Sequence, residues 1–215
     1  MIRFFNNFTK VTGFLIWKIV FRPHIFYEDK NIQSRKIKGS AIIISNHTSV
    51  YDFQQYLFVF FGRTLRFQVA EIQFEKKLLG WFLRNLGEIY VNRKTHNFSF
   101  MAKSENILRH GGVVGIFPES RIPLPEEEKP LPFKTSAAFL ALSSQAPVIP
   151  VYTDGEYYSR KPSHVMIGVP MYADDFVDES LSDRENIERV TEAMRNKIIE
   201  LGEMLNERKK ESKTV

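Results

Sequence analysis

The sequence predicts an α/β fold: one domain with a mostly parallel mixed sheet flanked by helices, preceded by an N-terminal amphipathic helical segment. Two observations carry this. From residue 41 onward short apolar runs alternate with helix-length amphipathic stretches, the pattern of a two-sided sheet with crossover helices. The chain has 215 residues, 43% of them hydrophobic, and no low-complexity linker or internal repeat, so one large core is expected. The N-terminal segment is assigned to residues 1–28 and the α/β domain to residues 29–215.

Residues 1–21 carry Phe4, Phe8, Val11, Leu15 and Ile19 at helical spacing. Arg3, Lys10, Lys18 and Arg22 interrupt the stretch, so it falls short of the ~20 apolar residues of a membrane span. Its short apolar run, with no small-residue cleavage site behind it, is also unlike a signal peptide. A basic helix rich in Phe and Trp is expected to lie in the plane of a membrane interface; the alternative is a helix docked on its own domain. Pro23 ends it, and Ile25-Phe26-Tyr27 continues as a short extended or helical piece.

Strands are expected at residues 41–45, 65–70, 88–91, 113–117, 147–152 and 165–169, and helices between them at 51–61, 74–86, 98–109 and 134–144. A last helix over 183–209 opens with a capping box, Ser182 and Glu185, and buries Ile187, Val190, Met194, Ile198, Leu201 and Leu205. Its basic tail is expected to fray. Residues 123–132 (PLPEEEKPLP) form the one long irregular loop.

The chain has no cysteine, which excludes a disulfide framework, a thiol nucleophile and a cysteine zinc site. A net charge of +5 and a pI near 9.3 favour anionic partners. With no long Lys/Arg block, nucleic acid is the weakest of these and none is expected. Nineteen Phe in one domain suggest a surface that meets something apolar.

The polar residues of interest fall where strands end, the place where open α/β sheets bind ligands. Asn46-His47-Thr48-Ser49-Val50-Tyr51-Asp52 follows the first strand. On one continuous helix, His47 and Asp52 would stand roughly 140° apart. They meet only if His47 lies in the loop and Asp52 in the first turn of the next helix. Taken alone, a helix cap and a first-turn acid account for this pattern. Asn92 and Arg93 follow residues 88–91, Glu119, Ser120 and Arg121 follow 113–117, and Thr153 and Asp154 follow 147–152. His24, His96, His110 and His164 have no acidic or metal-ligand partner at suitable spacing and read as loop or surface histidines; no metal site is expected.

In order and spacing, Asn46-His47-x4-Asp52, then Gly87-Glu88-Ile89-Tyr90-Val91-Asn92-Arg93, then Phe117-Pro118-Glu119, then Val148-Ile149-Pro150-Val151 resemble the four motif blocks of the glycerolipid acyltransferase family, which includes the 1-acylglycerol-3-phosphate acyltransferases. The resemblance spans roughly residues 42–169. It implies transfer of an acyl group from an acyl thioester, acyl-CoA or acyl-acyl carrier protein, to the sn-2 hydroxyl of 1-acylglycerol 3-phosphate (lysophosphatidic acid), giving phosphatidic acid for phospholipid synthesis. No cofactor beyond that co-substrate is implied.

In this reading His47 is the general base and Asp52 holds its ring and stabilises the imidazolium, as the acid of a serine triad does. Imidazole suits the task because its ordinary titration range lies close to cytosolic pH. The substrate alcohol is the nucleophile. Ser49 and Ser120 lie in no Gly-x-Ser-x-Gly elbow and are not expected to be acylated. Arg93 would bind the acceptor phosphate with its forked donors, and Glu119 would accept from glycerol hydroxyls or orient Arg93 or Arg121. Val148 to Val151 would be a core strand shaping the acyl channel.

The third block departs from the family's usual Phe-Pro-Glu-Gly-x-Arg. Ser120 stands at the glycine and Ile122 at the arginine, with Arg121 beside it. Arg121 would take the arginine's place if the loop shifts by one residue; otherwise phosphate would rest on Arg93 with Lys134. Ser120 is counted with these as a substrate-binding candidate, and the acceptor could instead be a lysophospholipid or glycerol 3-phosphate. A thioesterase-like hydrolase and a non-catalytic lipid-binding protein are the rival classes. The leading reading places the protein at the cytoplasmic face of an anionic phospholipid membrane, as a peripheral or monotopic protein.

Overall fold

A computed structural model describes residues 1–93, 98–158 and 161–211. The elements run α1 (Ile2–Phe21), β1 (His24–Tyr27), β2 (Ala41–Ser45), α2 (Asp52–Val59), β3 (Leu65–Ala70), α3 (Glu71–Glu75), α4 (Lys77–Leu86) and β4 (Ile89–Val91). They continue with α5 (Ser99–Arg109), β5 (Val113–Ile116), α6 (Ser136–Ser144), β6 (Val148–Thr153), β7 (His164–Ile167), a short 3-10 turn (Ala173–Phe176) and α7 (Asp183–Glu211). Among the described residues seven strands form one sheet in the order β1-β7-β6-β2-β5-β3-β4, and every neighbouring pair is parallel except β6 with β7.

Because successive strand residues face opposite ways, β2 feeds two cores. Ile42 and Ile44 pack with Val114, Ile116 and Val148 under α5, α6 and α7. Ala41 and Ile43 pack with Leu65, Phe67, Val113, Ile149 and Val151 under α1 and α2. All of β2 is buried, which explains why its sequence is a continuous β-branched run rather than an alternating one. Val148 to Val151 is likewise fully buried, a core strand between β2 and β7.

Three details differ from the sequence expectation. The single helix over 74–86 is two, because Lys76 is extended (φ −71°, ψ 118°). Gly80 fits the break: a Cβ there would stand 2.1 Å from the Phe74 carbonyl oxygen. His24–Tyr27, grouped by sequence with the N-terminal segment, pairs in parallel with β7 as an edge strand. The basic tail does not fray at 209; α7 continues to Glu211, and residues 212–215 lie outside the described residues. The Ser182–Glu185 capping box forms as expected, each backbone N–H donating to the other's side chain at 2.9 and 3.4 Å.

α1 docks on the domain by the face opposite its apolar stripe. Trp17 and Phe21 are buried against α2 and the sheet, and Lys10 is buried with its ammonium donating to the carbonyls of Phe61 (3.0 Å) and Arg63. Burial pushes the Lys10 amine down to about 8. Phe4, Phe8, Val11, Leu15 and Ile19 remain 57–76% exposed, an apolar stripe larger than a water-facing helix needs. Among the described residues no helix is long and apolar enough to cross a membrane.

Candidate active site

The site is assembled from turns that leave the carboxyl ends of β2, β5 and β6. β2 delivers Asn46, whose side-chain amide donates to the Thr153 carbonyl (2.8 Å) and accepts from the Thr153 N–H (2.9 Å). This mimics one further rung of sheet pairing and ties the two strand ends. The chain then turns through His47–Tyr51 and enters α2 at Asp52. His47 thus lies in the loop and Asp52 is the first helical residue, the arrangement the spacing required.

His47 Nδ1 is 2.8 Å from Asp52 Oδ2. The carboxylate is fully buried, and the amides of Thr48 (2.7 Å) and Ser49 (2.9 Å) donate to the same oxygen. Its other oxygen accepts from the Thr48 hydroxyl at 2.8 Å. These are charge-assisted bonds at a helix N-terminus, and all favour an ionised Asp52 that accepts from His47. Nδ1 is therefore the protonated ring nitrogen and Nε2 carries the lone pair. Nε2 makes no hydrogen bond among the described residues, and the side chain is 20% exposed.

Phe117, at the end of β5, stacks under the imidazole with centroids 4.4 Å apart. Phe67 stacks in turn on Phe117 at 5.3 Å. That pile requires Gly115: a Cβ there would meet the Phe67 ring at 2.2 Å.

Glu119 is buried, only 3% exposed, and it accepts from the amides of His47 (2.7 Å) and Leu131 (2.7 Å). Burial pushes its carboxyl up, while those two donors and the His47 ring pull it back. It braces the His47 loop against the proline-rich loop. Neither Arg93 nor Arg121 hydrogen-bonds it, which differs from the orienting task expected of it. Ser120 adopts φ +64°, the left-handed region where a glycine is at ease. The chain thus keeps the turn a glycine would make here.

Arg121 turns away to Glu127, its fork donating at 2.6 and 2.5 Å. That pairing, with the Leu124 amide, pulls the Glu127 carboxyl down to about 2. Lys134 is exposed, and its backbone N–H donates to the Pro118 carbonyl (2.9 Å), so it stands beside the third block. Arg93 is exposed after β4, its amide on Glu71 Oε2 at 3.2 Å. β4 lies three strands from β2, about 14 Å at normal strand spacing. His47, Asp52 and Glu119 are brought together, Lys134 borders them, and Arg93 stands farther along the same edge.

The sequence profile of the family described as Acyltransferase matches residues 24–154. The chain belongs to the acyltransferase family. A curated 1-acyl-sn-glycerol-3-phosphate acyltransferase of Bacillus subtilis (strain 168) is 27% identical over 139 residues, covering 62% of this chain and 67% of its own. The crystal structure of the 1-acyl-sn-glycerophosphate (LPA) acyltransferase PlsC from Thermotoga maritima superposes with a TM-score of 0.64. It covers 94% of this chain and 79% of its own at 20% identity, so it supports the fold.

Several residues around the acyltransferase site escaped the sequence reading. Thr48 supplies a second side-chain bond to Asp52. Tyr56, buried with its hydroxyl bonded to Ser45, and Tyr157, half-buried with its hydroxyl 3.1 Å from that of Thr153, both stand near the carboxylate. Burial and then the Asp52 charge push both phenols well above their usual range. The motif spacing in Thr48 could have drawn attention; nothing local marks Tyr157, which arrives from the loop after β6. His164 is the clearest miss: its Nδ1 is 2.6 Å from Asp154 Oδ2, a partner ten residues away across the β6–β7 connection. His96 lies outside the described residues. No group of three or more potential metal ligands occurs among the described residues.

Proposed function

We propose that this acyltransferase moves a fatty acyl group from an acyl thioester to the sn-2 hydroxyl of 1-acylglycerol 3-phosphate, with His47 as general base. The observation that carries the reading is the 2.8 Å bond from His47 Nδ1 to a buried, multiply hydrogen-bonded Asp52, with Nε2 left unbonded. Nε2 takes the acceptor hydroxyl proton as its oxygen attacks the thioester carbonyl. The tetrahedral adduct collapses, the carbon–sulfur bond breaks, and the departing thiolate takes the proton back from the imidazolium. The products are an ester and a free thiol, and His47 returns to its starting state. Asp52 stabilises the transient cation and fixes the ring.

The acceptor is supported by the B. subtilis relative's name and by the basic residues at the sheet edge. Arg93 and Lys134 are assigned to the acceptor phosphate. Acyl-CoA and acyl-acyl carrier protein are both suitable donors. The acyl chain is assigned to an apolar groove of about 430 Å³ between α1, α2 and α4, lined by Phe8, Gly13, Trp17, Leu57, Trp81 and Tyr158. Tyr158 connects this lining to the site, packing on Tyr51, the neighbour of Asp52, at 4.8 Å. The exposed stripe of α1 is assigned to the membrane interface, on the cytoplasmic face where thioesters are made available.

A second acceptor class is favoured by one observation. Arg121, the cation nearest the third block, is held by Glu127, which leaves less charge for a phosphate monoester and suits a lysophospholipid. The deciding assay offers palmitoyl-CoA and palmitoyl-acyl carrier protein against lysophosphatidate, glycerol 3-phosphate and lysophosphatidylcholine, with liposomes present. Transfer to lysophosphatidate that disappears in His47→Ala supports the proposal. Transfer only to another acceptor keeps the mechanism and moves the substrate; hydrolysis alone points to a thioesterase, and no turnover to a binding protein.

A further inference from the structure

α1 is flanked differently on its two sides. One side is the apolar groove already described. The other is an open cleft of about 940 Å³ between the first half of α1, the turn after α2 and the end of α5. Arg3, Arg63, Arg66 and His110 line it, together with Val11 and Phe61. None of the described residues lining the cleft is acidic.

Arg63 is fixed in place by donating to the carbonyls of Ile37 (2.7 Å) and Gly111 (2.6 Å), and the His110 ring nitrogen donates to the Asn106 carbonyl at 2.8 Å. Arg3 is exposed and Arg66 is half-buried on β3. The acid near Arg66 is the buried Glu88, whose carboxyl accepts from the Phe67 amide and is pushed up to about 8 by burial. Lys103 lines a neighbouring pocket together with Arg66 and Glu88, so the local balance is basic.

We infer that this cleft seats the phosphodiester headgroup of an anionic membrane phospholipid, one that is not the substrate. Two observations favour a lipid over an acidic protein. Val11 belongs both to the cleft wall and to the exposed apolar stripe of α1, so a headgroup in the cleft has its acyl chains beside that stripe. The cleft is also remote from the chemistry. Arg3 and Phe21 mark opposite ends of α1, about 27 Å apart at 1.5 Å per residue, and Phe21 packs on Tyr157 beside the catalytic pair. Headgroup capture at one end of α1 and substrate entry at the other would hold the helix flat on the bilayer. The inference rests on reading α1 as the membrane-facing element.

The test is flotation of the full chain with phosphatidylcholine vesicles and with equal-part phosphatidylcholine–phosphatidylglycerol vesicles. Arg3→Gln and Arg66→Gln are each expected to weaken partitioning onto the anionic vesicles about fivefold, the usual effect of one cation near an anionic surface. Binding to neutral vesicles should not change. Arg184→Gln, which removes an 89% exposed cation from α7, should bind as the wild type does. If Arg66→Gln melts early, exposed Arg3 carries the test alone.

Wild-type partitioning in both cleft variants overturns the site, as does an equal loss in Arg184→Gln, which would point to net charge alone. Unchanged vesicle binding with weakened binding of acyl carrier protein would overturn it in favour of a protein partner. A wild-type chain that floats with neither vesicle removes the membrane reading of α1 and this site together. Turnover on detergent-dispersed substrate would then show whether the acyl-transfer reading stands by itself.

Discussion

Two histidine–aspartate pairs stand at the same edge of the sheet: His47 with Asp52, and His164 with Asp154. Both use Nδ1, at 2.8 and 2.6 Å, so the pair alone does not make a site. The difference lies in what else each carboxylate holds. Among the described residues Asp52 accepts from two backbone amides and the Thr48 hydroxyl and pairs with no Lys or Arg, so its charge is directed at one imidazole. Asp154 is shared with the Lys209 ammonium at 2.7 Å and the His164 amide at 2.9 Å, so its charge is spent fastening the end of α7 to the β6–β7 connection. The first histidine sits over Phe117 at the mouth of the central strands; the second is packed between His24 and Phe26 on the edge strand β1. In the proposed reaction the first pair receives a proton from the acceptor alcohol, whereas the second fastens α7 to the sheet edge.

The largest expected effect separates them directly. His47→Ala should lower acyl transfer by about 10²–10⁴-fold with an unchanged melting temperature, and His164→Ala should lower the melting temperature with transfer intact. Comparable loss of turnover in both variants would erase the distinction. Next comes Thr48→Val, which removes the hydroxyl from Asp52 Oδ1. A hydrogen bond to a charged group is worth about 1.5–3 kcal/mol, so kcat should fall roughly tenfold or more while KM for the acceptor stays put. The parallel change in the other pair, Lys209→Met, should leave kcat alone and reduce stability.

pH sharpens the comparison further. Burial, with Lys209 and His24 nearby, holds the His164 imidazole below its usual range against the pull of Asp154. The unfolded chain therefore binds that proton first, and stability present above about pH 6.5 is lost as pH falls below it. Burial would raise Asp154, but Lys209 and His164 outweigh it and hold it below the usual range, so its contribution is lost only below about pH 4. His164→Gln should flatten the earlier part of the acid decline in melting temperature. An unaltered profile would show that His164 does not set it. The smallest effect is at Ser120, where a left-handed backbone costs a non-glycine residue about 1 kcal/mol. Ser120→Gly should raise the melting temperature by about 2–4 °C and leave turnover near wild type.

Much of this was determined by the sequence itself. The buried run Ala41 to Ser45 requires a strand covered on both faces, and five residues between His47 and Asp52 require a loop followed at once by a helix. Both are local constraints, set by period and by helix geometry, and the four motif blocks in register name the family. Folding decided which residues act as neighbours across long separations. Glu119 braces His47 from 72 residues away, because β5 lies beside β2 in the sheet. Asp154 and His164 meet because β6 and β7 run antiparallel, and Arg121 is claimed by Glu127 because the proline-rich loop folds back on the third block. The helical spacing of Phe4, Phe8, Val11, Leu15 and Ile19 is equally good for a buried face or an exposed one. Only the packing of Lys10, Trp17 and Phe21 on the domain turned that stripe outward, since a helix with one face docked must leave the opposite face to its surroundings.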